Sequence, residues 1–208
     1  DDNGNSTSCS FDITLEDSIN PTITCPANIS VNASAGLCTA NVVVPAPATA
    51  DNCLVSSIVN SFNGTANASG IYPLGTTTVN WTVTDIAGNT SACSMTVTVL
   101  DNQNPTITCP ANISVNVDAG TCVATVASLG TPTTADNCSV ASVTNNHPSA
   151  TYPLGTTTVV WTVTDGSGNT ATCNQTVTVT DNINPTITCP ANKNSGTDPG
   201  ECFASITV

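Results

Sequence analysis

Aspartates recur at three fixed positions along this chain, each with an asparagine within four residues. One opens the motif Asp-x-x-Asn-Pro-Thr-Ile-Thr-Cys-Pro-Ala-Asn, one lies in Asp-Asn-Cys, and one opens the turn Asp-x-x-Gly-Asn. The eight acids at these positions are Asp17, Asp101 and Asp181; Asp51 and Asp136; Asp1, Asp85 and Asp165. Carboxylate and amide oxygens on turns are the ligands that Ca²⁺ takes, about six to eight at a time. If the fold brings the three positions together, the pattern predicts a calcium site in each unit.

The segments that carry these acids repeat along the chain. The long motif begins three times, so the chain is read as a tandem array. Its parts are the C-terminal strand of a preceding repeat (residues 1–17), two whole repeats (residues 18–100 and 101–180) and the N-terminal strands of a following, truncated repeat (residues 181–208). The strand of the first part is expected through Cys9–Leu15. We therefore expect the sequence to be a window from a longer polypeptide.

Each whole unit shows the alternation of half-buried β-strands. Val79, Trp81 and Val83 alternate with threonine and asparagine, and the valines of the last strand share one face. About seven short strands separated by turn signals, without helical periodicity, predict an all-β fold of tandem immunoglobulin-like β-sandwich repeats in an elongated array. Trp81 is in phase with the core valines, so we expect core packing and not a sugar-binding surface.

The acids are expected to meet at one pole of each sandwich, because the linker, the turn after the second strand and the last turn all lie there. The predicted ligands are Asp17, Asn20, Asp51, Asn52, Asp85 and Asn89 in one unit, Asp101, Asn102, Asn104, Asp136, Asn137, Asp165 and Asn169 in the next, and Asp181 at the start of the third. Clustered carboxylates repel one another unless a cation neutralises them, which favours Ca²⁺ at each joint. The alternative is that Asp-Asn and Gly-Asn only form turns.

Five motifs in a fixed order resemble those of a known family. Pro-Thr-Ile-Thr-Cys-Pro-Ala-Asn-Ile, Ala-Asp-Asn-Cys, Tyr-Pro-Leu-Gly-Thr-Thr-Thr-Val, Trp-Thr-Val-Thr-Asp and Gly-Asn-Thr occur in both whole units and resemble the hyalin repeat (HYR) module. The resemblance implies an immunoglobulin-like extracellular module of animal matrix proteins or of bacterial surface adhesins and filaments. Four cysteines per unit and the high threonine and asparagine content are closer to the bacterial type. The linker Asp-Asn-Gln-Asn-Pro also resembles the calcium-binding linkers of cadherins.

Each whole unit has four cysteines, which allow three pairings. The first and last strands of a sandwich can run side by side, which places one cysteine of each at the same level; the HYR resemblance implies the same pair. Elimination leaves the other two cysteines of the unit, although the proline-rich loop between them must then fold back. The predicted pairs are Cys25–Cys93, Cys109–Cys173, Cys38–Cys53 and Cys122–Cys138. The alternative, Cys25–Cys38 with Cys53–Cys93, stays open.

Charge and cysteine content limit the classes of function. Fourteen acids stand against one base, Lys193, so neither nucleic acid nor membrane insertion is expected. Eleven cysteines in a chain of 208 residues indicate an oxidising, extracellular setting, either secreted or attached to a cell surface. No Ser-His-Asp set or histidine cluster is present, and His147 is the single histidine. The chain is not expected to be an enzyme.

These observations predict a structural component of a long secreted cell-surface filament or adhesin. Its partners would be the neighbouring repeats of the same chain and, by lateral self-association into fibres, other chains. Ca²⁺ would make the array a rod, and without it the array would be a jointed chain. The alternative is a carbohydrate- or protein-binding accessory or spacer module of a secreted multidomain enzyme or adhesin, which would bind a glycan or surface ligand through residues 60–70 and 145–150.

Overall fold

The computed structural model describes residues 2–200 and 202, and it contains two β-sandwiches, repeat 1 (residues 18–100) and repeat 2 (residues 101–180). The strands of repeat 1 are β1 (Thr22–Thr24), β2 (Ile29–Asn32), β3 (Thr39–Val42), β4 (Ala48–Ala50), β5 (Val55–Asn60), β6 (Gly70–Pro73), β7 (Gly75–Asp85) and β8 (Thr90–Leu100). Those of repeat 2 are β9 (Thr106–Thr108), β10 (Ile113–Asn116), β11 (Val123–Thr125), β12 (Thr133–Ala135), β13 (Val140–Asn145), β14 (Thr151–Pro153), β15 (Gly155–Asp165) and β16 (Thr170–Thr180).

In each sandwich a four-stranded sheet faces two short ribbons. The sheet of repeat 1 has the order β2-β8-β7-β5 with β2 parallel to β8, and its ribbons are β1-β4 and β3-β6. Repeat 2 has the same arrangement, with sheet β10-β16-β15-β13 and ribbons β9-β12 and β11-β14. The predicted break in the first strand is present: Pro26 has no N–H to donate to a ladder, so the chain leaves the ribbon after β1 and joins the sheet as β2. The predicted all-β sandwich fold is confirmed.

The core of each repeat lies between the sheet and the ribbons. Val79, Trp81 and Val83 point inward from β7 and are fully buried, as their alternation predicts. A disulfide joins the two layers, from Cys25 after β1 to Cys93 on β8, with the Cα atoms 5.7 Å apart. Cys109 and Cys173 make the same bond in repeat 2. Both are the pairs that the positions on the first and last strands predict.

Several segments differ from the expectation. The ribbon strands β4 and β6 fall in segments that the sequence suggests are loop or corner, because prolines interrupt their alternation. The strand expected at Cys9–Leu15 is wrong: no strand forms there, and Phe11 and Leu15 are 82% and 95% exposed. A strand needs a neighbour for its N–H and C=O groups, and repeat 1 provides none at that place.

The described part of the segment that follows repeat 2 also lacks the strands that the sequence predicts. Residues 181–200 contain no strand either, and the rest of the third unit's predicted strands, at residues 201 and 203–208, lies outside the described residues, as does Asp1. The structure therefore describes two complete sandwiches with a segment of non-strand chain on each side.

A buried tyrosine at the start of each Tyr-Pro-Leu-Gly corner distinguishes the repeats. Tyr72 and Tyr152 are both fully buried, and burial raises the pKa of each phenol. Tyr72 Oη donates to the carbonyl of Ala68 at 2.6 Å, and its ring stacks on Phe62. Tyr152 stacks on His147, but its Oη has no hydrogen-bond partner among the described residues. The two hydroxyls thus make unequal contributions to stability.

We expect Tyr72→Phe to lower the free energy of unfolding of repeat 1 by about 1 kcal/mol, because the Ala68 carbonyl loses its donor. Tyr152→Phe, the matched control, should leave repeat 2 unchanged or more stable, because it removes an unpaired buried hydroxyl. Amide hydrogen exchange in β8 and in β16 measures the stability of repeat 1 and of repeat 2 separately. Equal destabilisation by both substitutions would contradict the assignment.

Candidate metal centre

Three aspartates meet where repeat 1 adjoins repeat 2. Asp101 follows β8, Asp136 follows β12 and Asp165 ends β15, and one carboxylate oxygen of each lies within 4.8 Å of the other two. Asp101 and Asp165 are 6% and 2% exposed. We call this group the joint cluster. Its members are far apart in sequence and come together because linker and turns share one pole of the sandwich.

A second group occupies the same pole of repeat 1. Asp17, Asp51 and Asp85 also place one oxygen each within 4.8 Å of one another, and Asp85 is 2% exposed. We call it the upstream cluster. Both clusters combine the three repeated positions that the sequence singles out, so the aspartate pattern reflects spatial convergence and not only turn formation.

Main-chain amides hold the carboxylates in place. Asp136 Oδ2 accepts from the N–H groups of Cys138 and Ser139 at 2.9 and 2.8 Å, and Asp165 Oδ1 accepts from those of Ser167 and Asn169, both at 2.8 Å. The upstream cluster repeats the pattern with Asp51 and Asp85. Each aspartate therefore uses part of its acceptor capacity to shape its own turn, as the Asp-Asn and Gly-Asn sequences predict.

Other carboxylate oxygens are buried without a hydrogen-bond partner among the described residues. They are Asp101 Oδ2 and Asp136 Oδ1 in the joint cluster, and Asp17 Oδ2 and Asp51 Oδ1 in the upstream cluster. A buried, unpaired carboxylate oxygen is costly, and several together add mutual repulsion. The same two oxygens of each cluster are unpaired in both repeats, which marks the position where positive charge would be stabilised.

The donor set fits a hard cation. Each cluster offers carboxylate oxygens, which Ca²⁺ and Mg²⁺ prefer, and neither group includes histidine or cysteine, which Zn²⁺ favours. The carboxylates come from three separate segments, namely a linker, a turn and the end of a long strand, which suits the flexible coordination of Ca²⁺ better than the strict octahedron of Mg²⁺. The acidic clusters at the joints therefore match the chemistry expected of a calcium site.

Hydrogen bonding also changes the acidity of this region. Burial raises the pKa of Asp165, but the hydrogen bonds from Asn169 and from the turn amides outweigh it and hold the pKa below its ordinary value. The hydrogen bond from the Ile19 amide lowers the pKa of Asp17. The hydrogen bond to Asp17, with burial and the surrounding carboxylates, raises the pKa of the Cys53 thiol.

The asparagines do not present oxygens to the clusters, which corrects their prediction as ligands. Asn169 Nδ2 donates to Asp165 Oδ2 at 2.7 Å and to the Asp101 carbonyl at 3.1 Å, and Asn137 Nδ2 donates to Asp101 Oδ1 at 3.3 Å. Asn89 and Asn52 act in the same way in the upstream cluster. An amide N–H satisfies a carboxylate directly, so these side chains orient the acids instead of adding to their negative charge.

The remaining predicted ligands lie apart from the clustered carboxylates. Asn102 Nδ2 donates across the joint to Asn32 Oδ1 at 2.8 Å. Asn20 and Asn104 are exposed and make no hydrogen bond to the clusters, although Asn104 lines the surface cleft beside Asp136. Asp181 is exposed, accepts from the amide of Ile183 and belongs to no acidic group among the described residues.

Gln103 is a joint residue that sequence reasoning missed. Its Oε1 accepts from the Gly36 amide at 2.9 Å, and its Nε2 donates to the Ser34 carbonyl at 3.2 Å, so it joins the linker to a turn of repeat 1. The sequence does distinguish this position, because the other two copies of the motif carry Ile19 and Ile183 there. A polar residue in place of an apolar one indicates a contact specific to this joint.

The second disulfide crosses the joint. Cys38 of repeat 1 is bonded to Cys138 of repeat 2, with the Cα atoms 4.8 Å apart, and Cys53 and Cys122 are exposed free thiols. The predicted pairs Cys38–Cys53 and Cys122–Cys138 are therefore wrong. The two cysteines of one repeat belong to opposite poles, and the turn before β3 instead lies against the Asp-Asn-Cys turn of the next repeat. Asn137 Nδ2 also donates to the Leu37 carbonyl there, at 3.1 Å.

Comparison with known proteins gives consistent matches. The family model described as HYR domain matches residues 16–99 and 100–179. The chain is similar to a hyalin of Strongylocentrotus purpuratus, with 34% identity over 200 residues that cover 91% of this chain and 16% of the hyalin. A hyalin of Lytechinus variegatus is 32% identical over 200 residues, covering 91% and 37%. The chain thus spans well under half the length of these relatives.

Among solved structures, Drosophila N-cadherin EC1-4 matches with a TM-score of 0.39 and 10% identity, covering 78% of this chain and 50% of that one. Within the part of the chain that the structure describes, no helix has the length and apolar character needed to cross a bilayer.

The low pKa of Asp165 predicts a loss of stability in acid. Its folded pKa lies below the ordinary value of 3.8, so its stabilising contribution is full above that pH and disappears as the pH falls through the folded pKa. We expect the melting temperature of repeat 2, measured with a chelator present, to fall as the pH drops below about 5. Asp165→Asn should lower the melting temperature of repeat 2 at pH 5 and reduce its further fall at lower pH. An Asp165→Asn variant with an unaltered pH profile would assign the acid sensitivity to other carboxylates.

Proposed function

The chain belongs to the HYR domain family, and we propose that it forms a load-bearing part of an extracellular, surface-attached filament or adhesin whose joints bind Ca²⁺. The observation that carries this proposal is the joint cluster, because its carboxylates come from both the linker and the turns of repeat 2. A cation held there couples the linker's path to the body of the next repeat. The role is mechanical and non-catalytic.

In this proposal Asp101, Asp136 and Asp165 hold the cation at the joint, and Asp17, Asp51 and Asp85 hold one at the upstream pole. Their unpaired buried oxygens are the first candidates for ligands. The bound ion supplies positive charge that neutralises the cluster. The asparagine side chains keep the carboxylates aimed inward, and Gln103 and Asn102 hold the linker against repeat 1.

The disulfides support an oxidising, extracellular location. As a finer proposal, four cysteines per repeat and the threonine- and asparagine-rich composition favour the bacterial surface-adhesin type of HYR repeat; the matched hyalins are animal proteins. The partners proposed are neighbouring HYR repeats in the same chain. Lateral self-association into fibres is proposed through the surface of the β3-β6 ribbon, where Ile71 of β6 is 67% exposed and Val43, directly after β3, is 80% exposed.

Calcium binding is tested by calorimetric titration of the chain with CaCl₂. We expect two sites per chain, with dissociation constants on the order of 10⁻⁴–10⁻³ M, as in other extracellular calcium modules. Asp136→Asn should abolish the joint site and Asp51→Asn the upstream site. Asp12→Asn removes the same charge from the exposed N-terminal segment and should retain both sites. Binding that survives Asp136→Asn and Asp51→Asn together would overturn the calcium proposal.

Joint stiffness is tested by small-angle scattering in CaCl₂ and in chelator. Because the Cys38–Cys138 disulfide also restrains the joint, the wild type is compared with the double variant Cys38→Ser/Cys138→Ser. We expect calcium to extend and narrow the distribution of lengths, most clearly in the double variant. A distribution that calcium leaves unchanged in both proteins would show that the ion does not set the angle between repeats.

A further inference from the structure

The disulfide at the joint uses one cysteine of each repeat and leaves one in each repeat unbonded. Cys38 and Cys138 are joined, while Cys53 and Cys122 are exposed thiols. Cys53 occupies the repeat position of Cys138, after Asp-Asn, and Cys122 occupies that of Cys38, before the second inward-alternating segment. The two free thiols are therefore the two halves of the observed disulfide, one on each outer pole.

We propose that Cys53 and Cys122 form the same disulfide with adjoining HYR repeats, Cys53 with a repeat that precedes repeat 1 and Cys122 with one that follows repeat 2. Each joint of the array is then closed by a covalent bond as well as by the continuous main chain. An array of this kind is a series of covalent loops that overlap in sequence, each of which spans a joint.

The surroundings of Cys53 already match those of Cys138. The Cys53 amide donates to Asp51 Oδ2 at 2.9 Å, as the Cys138 amide donates to Asp136 Oδ2 at 2.9 Å. The side-chain Nδ2 atom of the preceding asparagine lies 3.3 Å from the cysteine sulfur in both cases. The unbonded thiol is thus held in the same local geometry as the bonded one, before any partner is present.

The surroundings of Cys122 likewise match those of Cys38. The Cys38 carbonyl accepts from the Leu74 amide at 3.2 Å, and the Cys122 carbonyl accepts from the Leu154 amide at 3.1 Å. A glycine two residues earlier has a φ of 72° at Gly36 and 74° at Gly120, in the left-handed region. The turn that delivers Cys38 to the joint is therefore reproduced at the far pole of repeat 2.

The upstream pole also has room for an incoming turn. An open cleft of about 600 Å³ lies beside Cys53, and it is lined by Leu15, Asp17, Ile19, Asn52 and Ile86. Asn52 Nδ2 corresponds to Asn137 Nδ2, which donates to the Leu37 carbonyl of the adjoining turn. The apolar Leu15 and Ile86, 95% and 63% exposed, would be covered by the same contact. Ile19 replaces Gln103, so this joint would form without the glutamine hydrogen bonds.

Bond formation is an ordinary thiol oxidation. The S–H bonds of the two cysteines break, one S–S bond forms, and the two protons are taken up by the two thiols of the reduced oxidant. The two electrons reduce one disulfide of a thiol–disulfide oxidant, such as oxidised glutathione, to two thiols. This inference does not depend on calcium, because it rests on the Cys38–Cys138 bond, and the tests below are made in chelator.

The first test is made on the 208-residue chain after refolding in a glutathione redox buffer. Denaturation without reduction, alkylation and peptide mass spectrometry then assign each cysteine. We expect alkylated Cys53 and Cys122 and a cross-linked peptide that contains Cys38 and Cys138. Cross-linked Cys38 and Cys53 would overturn the proposal at its premise.

The second test uses a longer chain in which residues 17–208 follow directly after Thr180, so that Asp17 takes the place of Asp181. The Cys122 of the first copy then meets the Cys53 of the second copy. We expect both to lose alkylation and to appear in one cross-linked peptide, while the first Cys53 and the last Cys122 remain alkylated. In a matched variant with Cys53→Ser in the second copy only, the inner Cys122 should become reactive again. Inner thiols that stay reactive while Cys38–Cys138 forms would refute the proposal.

Discussion

The structure depends on one electrostatic constraint: three carboxylates must be held within 4.8 Å of one another at the entry pole of each repeat. Burial of Asp101 and Asp165 makes this arrangement more costly than a similar group on an open surface. Main-chain amides and asparagine amides offset part of the repulsion by donating to the carboxylates. They leave two oxygens of each cluster without a partner among the described residues, and a positive charge would be stabilised there.

A single turn connects this electrostatic site to the rest of the joint. In Asp136-Asn137-Cys138, the aspartate enters the cluster, the asparagine donates to repeat 1 at Leu37 and the cysteine bonds to Cys38. Three consecutive residues thus carry an ionic, a hydrogen-bonded and a covalent contribution. Because all three act on one short segment, a change in any of them alters the position of the others. This coupling supports the proposal that the joint sets the angle between repeats.

In their cores the two repeats use different residues to give the buried tryptophan N–H a hydrogen-bond acceptor. The indole Nε1 of Trp81 donates to the Ala66 carbonyl at 3.5 Å, and Met95 is buried in the same core. In repeat 2 the position of Met95 is occupied by Gln175, whose Oε1 accepts from Trp161 Nε1 at 3.0 Å and whose Nε2 donates to two main-chain carbonyls. The sheet accepts either residue because the buried indole N–H finds an acceptor in both repeats. The poles, in contrast, are nearly identical in both repeats.

The sequence alone specified the repeat boundaries, the sandwich class, the inward faces of the long strands and a preference for the pair Cys25–Cys93. These follow from period-2 alternation and from the positions of residues within one unit, which are local properties. It also identified the three aspartate positions, since Asp recurred where turn chemistry alone does not require it. It missed the strands β4 and β6, where prolines obscure the alternation.

What each side chain faces across the joint depends on how the two repeats are placed in space. Asparagine can donate or accept, so its sequence position did not reveal that Asn137 and Asn169 present N–H groups to the carboxylates. The possible pairings of the four cysteines in one unit can be counted from the sequence. The partner of Cys38 cannot be identified in this way, because it is set by how one sandwich stacks on the next. Contacts between units depend on relative placement in space, and no pattern within a single repeat contains that information.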